Sequence, residues 1–188
     1  MTALPRRSRD RAYEETGRTM GHRAGTRVRR NAEPVVDAAV ASLGGCDHVD
    51  AVAVDLAPGT SAPDFARTVL AATPEWVHGM LTVRDKLMSP FGLHTQKRIA
   101  PEEIRVEPGA RLGPFRVLTV ADDEVLAGDD DKHLDFRTSF AVREGATGLE
   151  GVCTTVVRYR RRAGHLYFKV IQPFHNLIVP RVIARARS

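Results

Sequence analysis

Two periods alternate along this chain. Between residues 32 and 89 apolar positions recur mostly at helical spacing, and from residue 111 they recur mostly at every second position, as half-buried strands require. Val35, Val36, Ala39, Val40 and Leu43 predict a short helix within 32–44. Val52 and Val54 alternate with Ala51, Ala53 and Asp55, so 49–56 reads as a strand, and Pro58-Gly59-Thr60 turns the chain. Ser61-Ala62-Pro63-Asp64 is a capping-box pattern that opens a helix through Leu70. Thr73-Pro74 supplies another N-cap, with proline at the first helical position. The helix after it carries Trp76, Met80, Val83 and Leu87 on one stripe, with Val77, Leu81 and Met88 beside it, until Pro90 and Gly92 close it.

In the second half, 115–120 reads as a strand, 123–127 as a short one, and 133–142 as the clearest in the chain. Segments 149–159 and 165–171 flank Arg160–Gly164 and read as a long hairpin. The last segment, 174–187, is helical: Leu177, Ile178, Val182 and Ile183 form its apolar side, and Arg181, Arg185 and Arg187 suit the negative end of the helix dipole. Pro180 predicts a kink or a late start there. Consecutive antiparallel strands with segregated helices give an α+β fold: two helices after the first strand, a curved antiparallel sheet, and a long C-terminal helix across one face. A sheet wrapped around a helix encloses a cavity, the usual place for a ligand.

Composition sharpens this picture. With 188 residues and 43% apolar content, one domain with a buried core is expected, here 32–188. Residues 1–31 have no periodicity and few large aliphatics, and read as a disordered basic extension. They hold nine of the 28 basic residues and three of the 23 acids, leaving 19 bases against 20 acids in the rest. The net charge of +5 therefore belongs to the extension, and the domain has no reason to seek nucleic acid. The extension is either a functional basic arm or partly a start-site artefact, with translation beginning at Met20 or later. No apolar run approaches the ~18 residues that span a bilayer, and the N-terminal arginines lack the apolar segment of a secretory signal. Cys46 and Cys153 are far apart, which argues against a disulfide framework. A cytoplasmic protein is expected by default.

Phosphate-loop, dinucleotide-binding, zinc-protease and serine-hydrolase motifs are missing, so no cofactor is expected. The informative stretch is Asp129-Asp130-Asp131-Lys132-His133-Leu134-Asp135-Phe136-Arg137-Thr138-Ser139-Phe140. In a strand His133, Asp135, Arg137 and Ser139 share one face, and Leu134, Phe136, Thr138 and Phe140 the other. That polar face is either the wall of a pocket, with Asp135 holding Arg137 towards an anionic or carbonyl group, or simply the solvent side of the strand. His133 and Asp135 are too few to ligate a metal. Arg84 either snorkels from its apolar stripe or reaches an anionic ligand or a carboxylate such as Asp130 or Asp135. Trp76 is a core residue or a ligand platform, and His175 a surface residue or one facing the sheet. Cys153, mid-strand, reads as buried and inert.

Several of these pieces resemble a bacterial family of unknown function, numbered 2867. They are Trp76…Met80…Val83-Arg84-Asp85, Phe91-Gly92-Leu93, Gly113-Pro114-Phe115, Glu124-Val125-Leu126-Ala127-Gly128-Asp129-Asp130, His133-Leu134-Asp135-Phe136-Arg137, Thr154-Thr155, and Gly164-His165-Leu166-Tyr167-Phe168 running into Pro173-Phe174-His175. The likeness covers about residues 45–187. It implies kinship with the helix-grip superfamily of START-like and cyclase-like proteins, hence a sheet gripping the C-terminal helix over a deep cavity. It implies no particular activity. Trp76, Arg84, Asp130, His133, Asp135, Arg137 and His175 coincide with its motif positions and are the expected ligand-binding residues.

Three functions follow as expectations. One is a binding protein for a hydrophobic or amphipathic metabolite. Another is a cofactor-independent cyclase, dehydratase or isomerase, with Asp135 or His133 as proton acceptor and Arg84 or Arg137 holding an enolate or carboxylate. A weaker one is an interaction subunit for a separate NAD(P)-dependent Rossmann oxidoreductase, since some relatives carry such a domain in the same chain. A small-molecule ligand is the expected partner, and a homodimer or Rossmann-type partner protein is an open alternative.

Overall fold

The computed structural model describes residues 28–72, 104–112 and 115–186. The elements are β1 (Val28–Arg30), α1 (Asp37–Leu43), β2 (His48–Asp55), α2 (Ala62–Ala71), β3 (Arg111–Leu112), β4 (Phe115–Val120), β5 (Glu124–Asp130), β6 (Leu134–Gly145), β7 (Gly148–Tyr159) and α3 (Arg162–Arg185). The strands form one antiparallel sheet in the order β1-β2-β7-β6-β5-β4-β3. The fold is α+β: a curved open sheet with a long C-terminal helix and a helix after β2, the first strand expected from the sequence. The second helix expected after that strand, with Trp76 and Arg84, lies outside the described residues.

The sheet has two unlike faces. On one, Val52, Val54, Cys153, Phe140, Val125 and Val117 pack under α2 (Phe65, Ala66, Val69) and the end of α3 (Val182, Ile183). Leu134, Phe136, Val157 and Tyr159 meet Phe168 and Ile171 at the other end of α3. The opposite face carries Leu126 and Val156 under α1 (Ala39, Leu43), and Ala51, Ala53 and Val152 under the chain at Ala32 and Val35. Helix α2 starts as its capping box predicts, with the Ser61 hydroxyl accepting from the Asp64 amide.

Two expectations need correction. Val28–Arg30, assigned by composition to the disordered extension, form the edge strand β1 along β2. Arg29 explains the order: its guanidinium pairs with Asp55 at 2.6 Å and also with Glu150, which Arg143 holds at 2.7 Å. Three charges across three strands fix a segment whose side chains bury little.

His165–Ile171 is not a strand but the first half of α3. Its β-branched and aromatic residues favour a strand, yet Gly164, Tyr167, Phe168 and Ile171 face inward at helical spacing. Glycine at 164 allows the close approach: a β-carbon there would lie 2.0 Å from the His133 carbonyl oxygen. Pro173 and Pro180 both lie inside α3, so Pro180 marks neither its start nor its end. Each proline removes one backbone bond, and the carbonyls released, on Lys169 and Asn176, belong to exposed residues that water can serve.

Candidate functional site

The polar face of β6 turns away from α3. Phe140 and Leu134 face that helix, so Asp135, Arg137 and Ser139 lie on the α1 side of the sheet. Arg137 is only 6% exposed, and its Nε and Nη1 are engaged with protein. Its Nε donates to the Ser42 hydroxyl at 2.9 Å, and its Nη1 donates to Asp130 at 2.7 Å and to the carbonyls of Phe136 and Asp129 at 2.9 and 3.3 Å. Opposite it stands Gly128, where a β-carbon would lie 2.8 Å from the Arg137 side chain. The arginine thus ties α1 to β5 and β6. Asp135 is buried and accepts two bonds from Arg160 Nε, at 2.7 and 2.8 Å. Ser139 donates to Glu124 at 2.5 Å. His133 sits in the turn before β6, and its carbonyl accepts from the Arg160 amide.

The sequence-predicted residues are split between the two faces of the sheet. Asp130, Asp135 and Arg137 lie on the α1 face, with Asp135 paired to Arg160 just before α3, and His175 lies on the other face. Trp76 and Arg84 are outside the described residues. A shallow, open hollow of about 630 Å3 is lined by Asp47, Tyr159, Arg161, Arg162 and His165, none of them expected in the site.

His175 has partners that sequence reasoning missed. From the middle of α3 it reaches Asp50 of β2, with Nε2 3.1 Å from Oδ1 and 2.9 Å from Oδ2. His48, two residues earlier on the same face of β2, brings its own Nε2 within 3.2 Å of Asp50 Oδ2. The His48 ring packs on Phe168, with centroids 4.6 Å apart. All three polar side chains are a little over one-fifth exposed: 22% for His48, 23% for Asp50 and 21% for His175. The cluster is thus neither sealed in the core nor loose in solvent. Burial pushes the Asp50 carboxyl up, but hydrogen bonding and charge from His175, and then from His48, outweigh it and hold it below its ordinary value. Asp50 is therefore ionised at neutral pH.

A signal for this cluster was present in the sequence. His48 and Asp50 are in phase with Val52 and Val54, so the same alternation that makes those valines core places an acid and an imidazole on the core side. Cys153 lies on that face too; burial first, and then the Asp50 charge, push its thiol up to about 12. It is an inert core residue at neutral pH. Both imidazoles direct Nε2 at the carboxylate, and among the described residues no three His, Cys, Asp or Glu side chains are grouped to hold a metal. Among the described residues no helix is long and apolar enough to cross a membrane.

The model of the family described as "Protein of unknown function (DUF2867)" matches residues 42–182. The chain belongs to that family. The DUF2867 match runs from the end of α1 almost to the end of α3, and so contains the whole His48–Asp50–His175 cluster. No curated protein and no solved structure matches the chain.

Proposed function

We propose that this DUF2867 protein binds a small amphipathic metabolite on the α3 face of its sheet, with the His48–Asp50–His175 cluster as the polar anchor. One observation carries the reading: an ionised carboxylate bonded by two imidazoles stands, partly accessible, on the side of the sheet where Val52, Val54 and Phe140 pack in the core. Keeping such a group there costs desolvation, and a tie between helix and sheet would need only one of the two histidines. A curved antiparallel sheet against a long C-terminal helix is also the element order of helix-grip proteins, whose ligands lie between the two. Apolar contact with Phe168 and polar contact with the imidazoles suit a molecule with a hydrophobic body and a hydrogen-bonding end.

The experiment is denaturing extraction of the purified full chain followed by mass spectrometry. The wild type and Arg137→Met should release the same small molecule, and Asp50→Asn should release little. A wild-type protein that carries nothing and whose melting temperature no metabolite fraction raises would overturn the reading.

A second reading rests on the same geometry. In a neutral ring that donates Nε2–H to Asp50, Nδ1 is the proton acceptor, and both rings are placed to donate in this way. An imidazole oriented by a carboxylate is the usual form of a general base. A cofactor-independent isomerase, dehydratase or cyclase would then use His48 or His175 where the sequence suggested His133 or Asp135. Deuterium uptake from heavy water at a carbon of the released molecule, dependent on the histidines, is the test; no exchange above the buffer rate would refute it.

A further inference from the structure

Helix α3 is apolar on two sides. Its inner side packs on the sheet through Phe168, Ile171, Val182 and Ile183. Its outer side exposes Leu166 (66%), Val170 (44%) and Leu177 (40%), the exposed large hydrophobics of the protein among the described residues. These recur at helical spacing and form one line about 16 Å long, given a rise of ~1.5 Å per residue. Arg162, Lys169, Arg181 and Arg185 are exposed along the same helix. At ~100° per residue they fall on the flanks of the apolar line or at its C-terminal end. No aspartate or glutamate occurs after Glu150. Among the described residues none of these four cations is paired with a carboxylate.

We infer that the outer face of α3 docks on an anionic lipid surface, with Leu166, Val170 and Leu177 entering the interface and the flanking cations on the lipid headgroups. Charge complementarity selects the occupant. A second copy of the helix would bring like charges together. Nucleic acid would satisfy the cations but has no use for a line of aliphatic side chains. A single file of apolar side chains rimmed by bases, on a helix lying flat against a domain, is the geometry of interfacial helices. This surface is independent of the ligand site, because His175 and Phe168 face the sheet.

The test is flotation of the full chain with vesicles of pure phosphatidylcholine and with equimolar phosphatidylcholine and phosphatidylserine. The chain should float with the acidic vesicles only, and less as salt rises. Each charge near such a surface is worth about fivefold in partition, so Lys169→Glu, which changes two, should lose more than tenfold. Leu166→Glu, at a position too exposed to threaten the fold, should lose at least as much. Arg116→Glu, an equal charge change on the opposite face of the sheet, should leave flotation unchanged. Failure to float with acidic vesicles overturns the inference. So does equal flotation of wild type, Leu166→Glu and Lys169→Glu, which would assign binding to the arginines of residues 1–31. A loss for Arg116→Glu matching that of Lys169→Glu would also overturn it, as unspecific charge attraction.

Discussion

Replacing Arg137 by methionine separates a structural arginine from a ligand clamp. Methionine keeps the aliphatic stem, so the change removes mainly the guanidinium and its four hydrogen bonds: to Ser42, to Asp130, and to the carbonyls of Asp129 and Phe136. Asp130 is 53% exposed and rehydrates, so its loss is a small part. The Ser42 hydroxyl and the two carbonyls are less easily served, at roughly 0.5–1.5 kcal/mol per lost bond, and the added apolar burial of methionine offsets some of this. The expected net loss is about 2–3 kcal/mol. For a chain of this size that lowers the melting temperature by roughly 4–12 °C. Arg137→Lys keeps the charge but not the fork that reaches serine and aspartate at once, and should lose about half as much. Urea titration with circular dichroism measures both. If Arg137→Met unfolds within about 0.5 kcal/mol of wild type but no longer retains a small molecule, the structural assignment is wrong and the arginine belongs to the site.

Three further outcomes are expected. Gly164→Ala should destabilise by roughly 1–3 kcal/mol despite the better helix propensity of alanine, because the new β-carbon meets the His133 carbonyl; a neutral or stabilising change in thermal unfolding would mean that α3 does not press on that turn. One of the two thiols, exposed Cys46, should react with a thiol reagent in the folded chain and both in denaturant, since the Cys153 thiol is buried and held up to about 12; fast native reaction of both would contradict the packing. The Asp50 carboxyl titrates lower in the folded than in the unfolded chain, so its contribution is complete above an unfolded value of about 3.9 and is lost as pH falls through the folded one. Urea midpoints of Asp50→Asn should therefore fall less steeply than wild type on the acid side, and parallel acid limbs would show that Asp50 gains nothing from its histidines.

Much of the fold was legible because local chemistry and tertiary packing agree. The strand Phe115–Val120 and the capping box at Ser61 read directly, as did the strand that became β6. The helix α3 was half lost because His165–Ile171 carries side chains that favour a strand, and only their contacts with the sheet reveal the helical phase. The edge strand β1 was invisible for the converse reason: Arg29 is ordered by Asp55 and Glu150, and the nearer of these is 26 residues away. At the site, alternation along β6 was read correctly, but alternation alone does not say which face the helix covers. Asp130, Asp135 and Arg137 are polar because they tie elements together. Asp50 escaped notice although it shares a phase with Val52 and Val54. A charge in register with core positions was the stronger signal, and a lone polar face the weaker one.

Whether the His48–Asp50–His175 cluster holds a ligand is decided by a crystal structure of the full chain purified without stripping bound molecules. Non-protein density is expected within hydrogen-bonding distance of an imidazole Nδ1, lying along Phe168. A cluster closed over by the protein's own side chains, with Asp50 and both histidines meeting nothing but each other, would contradict it.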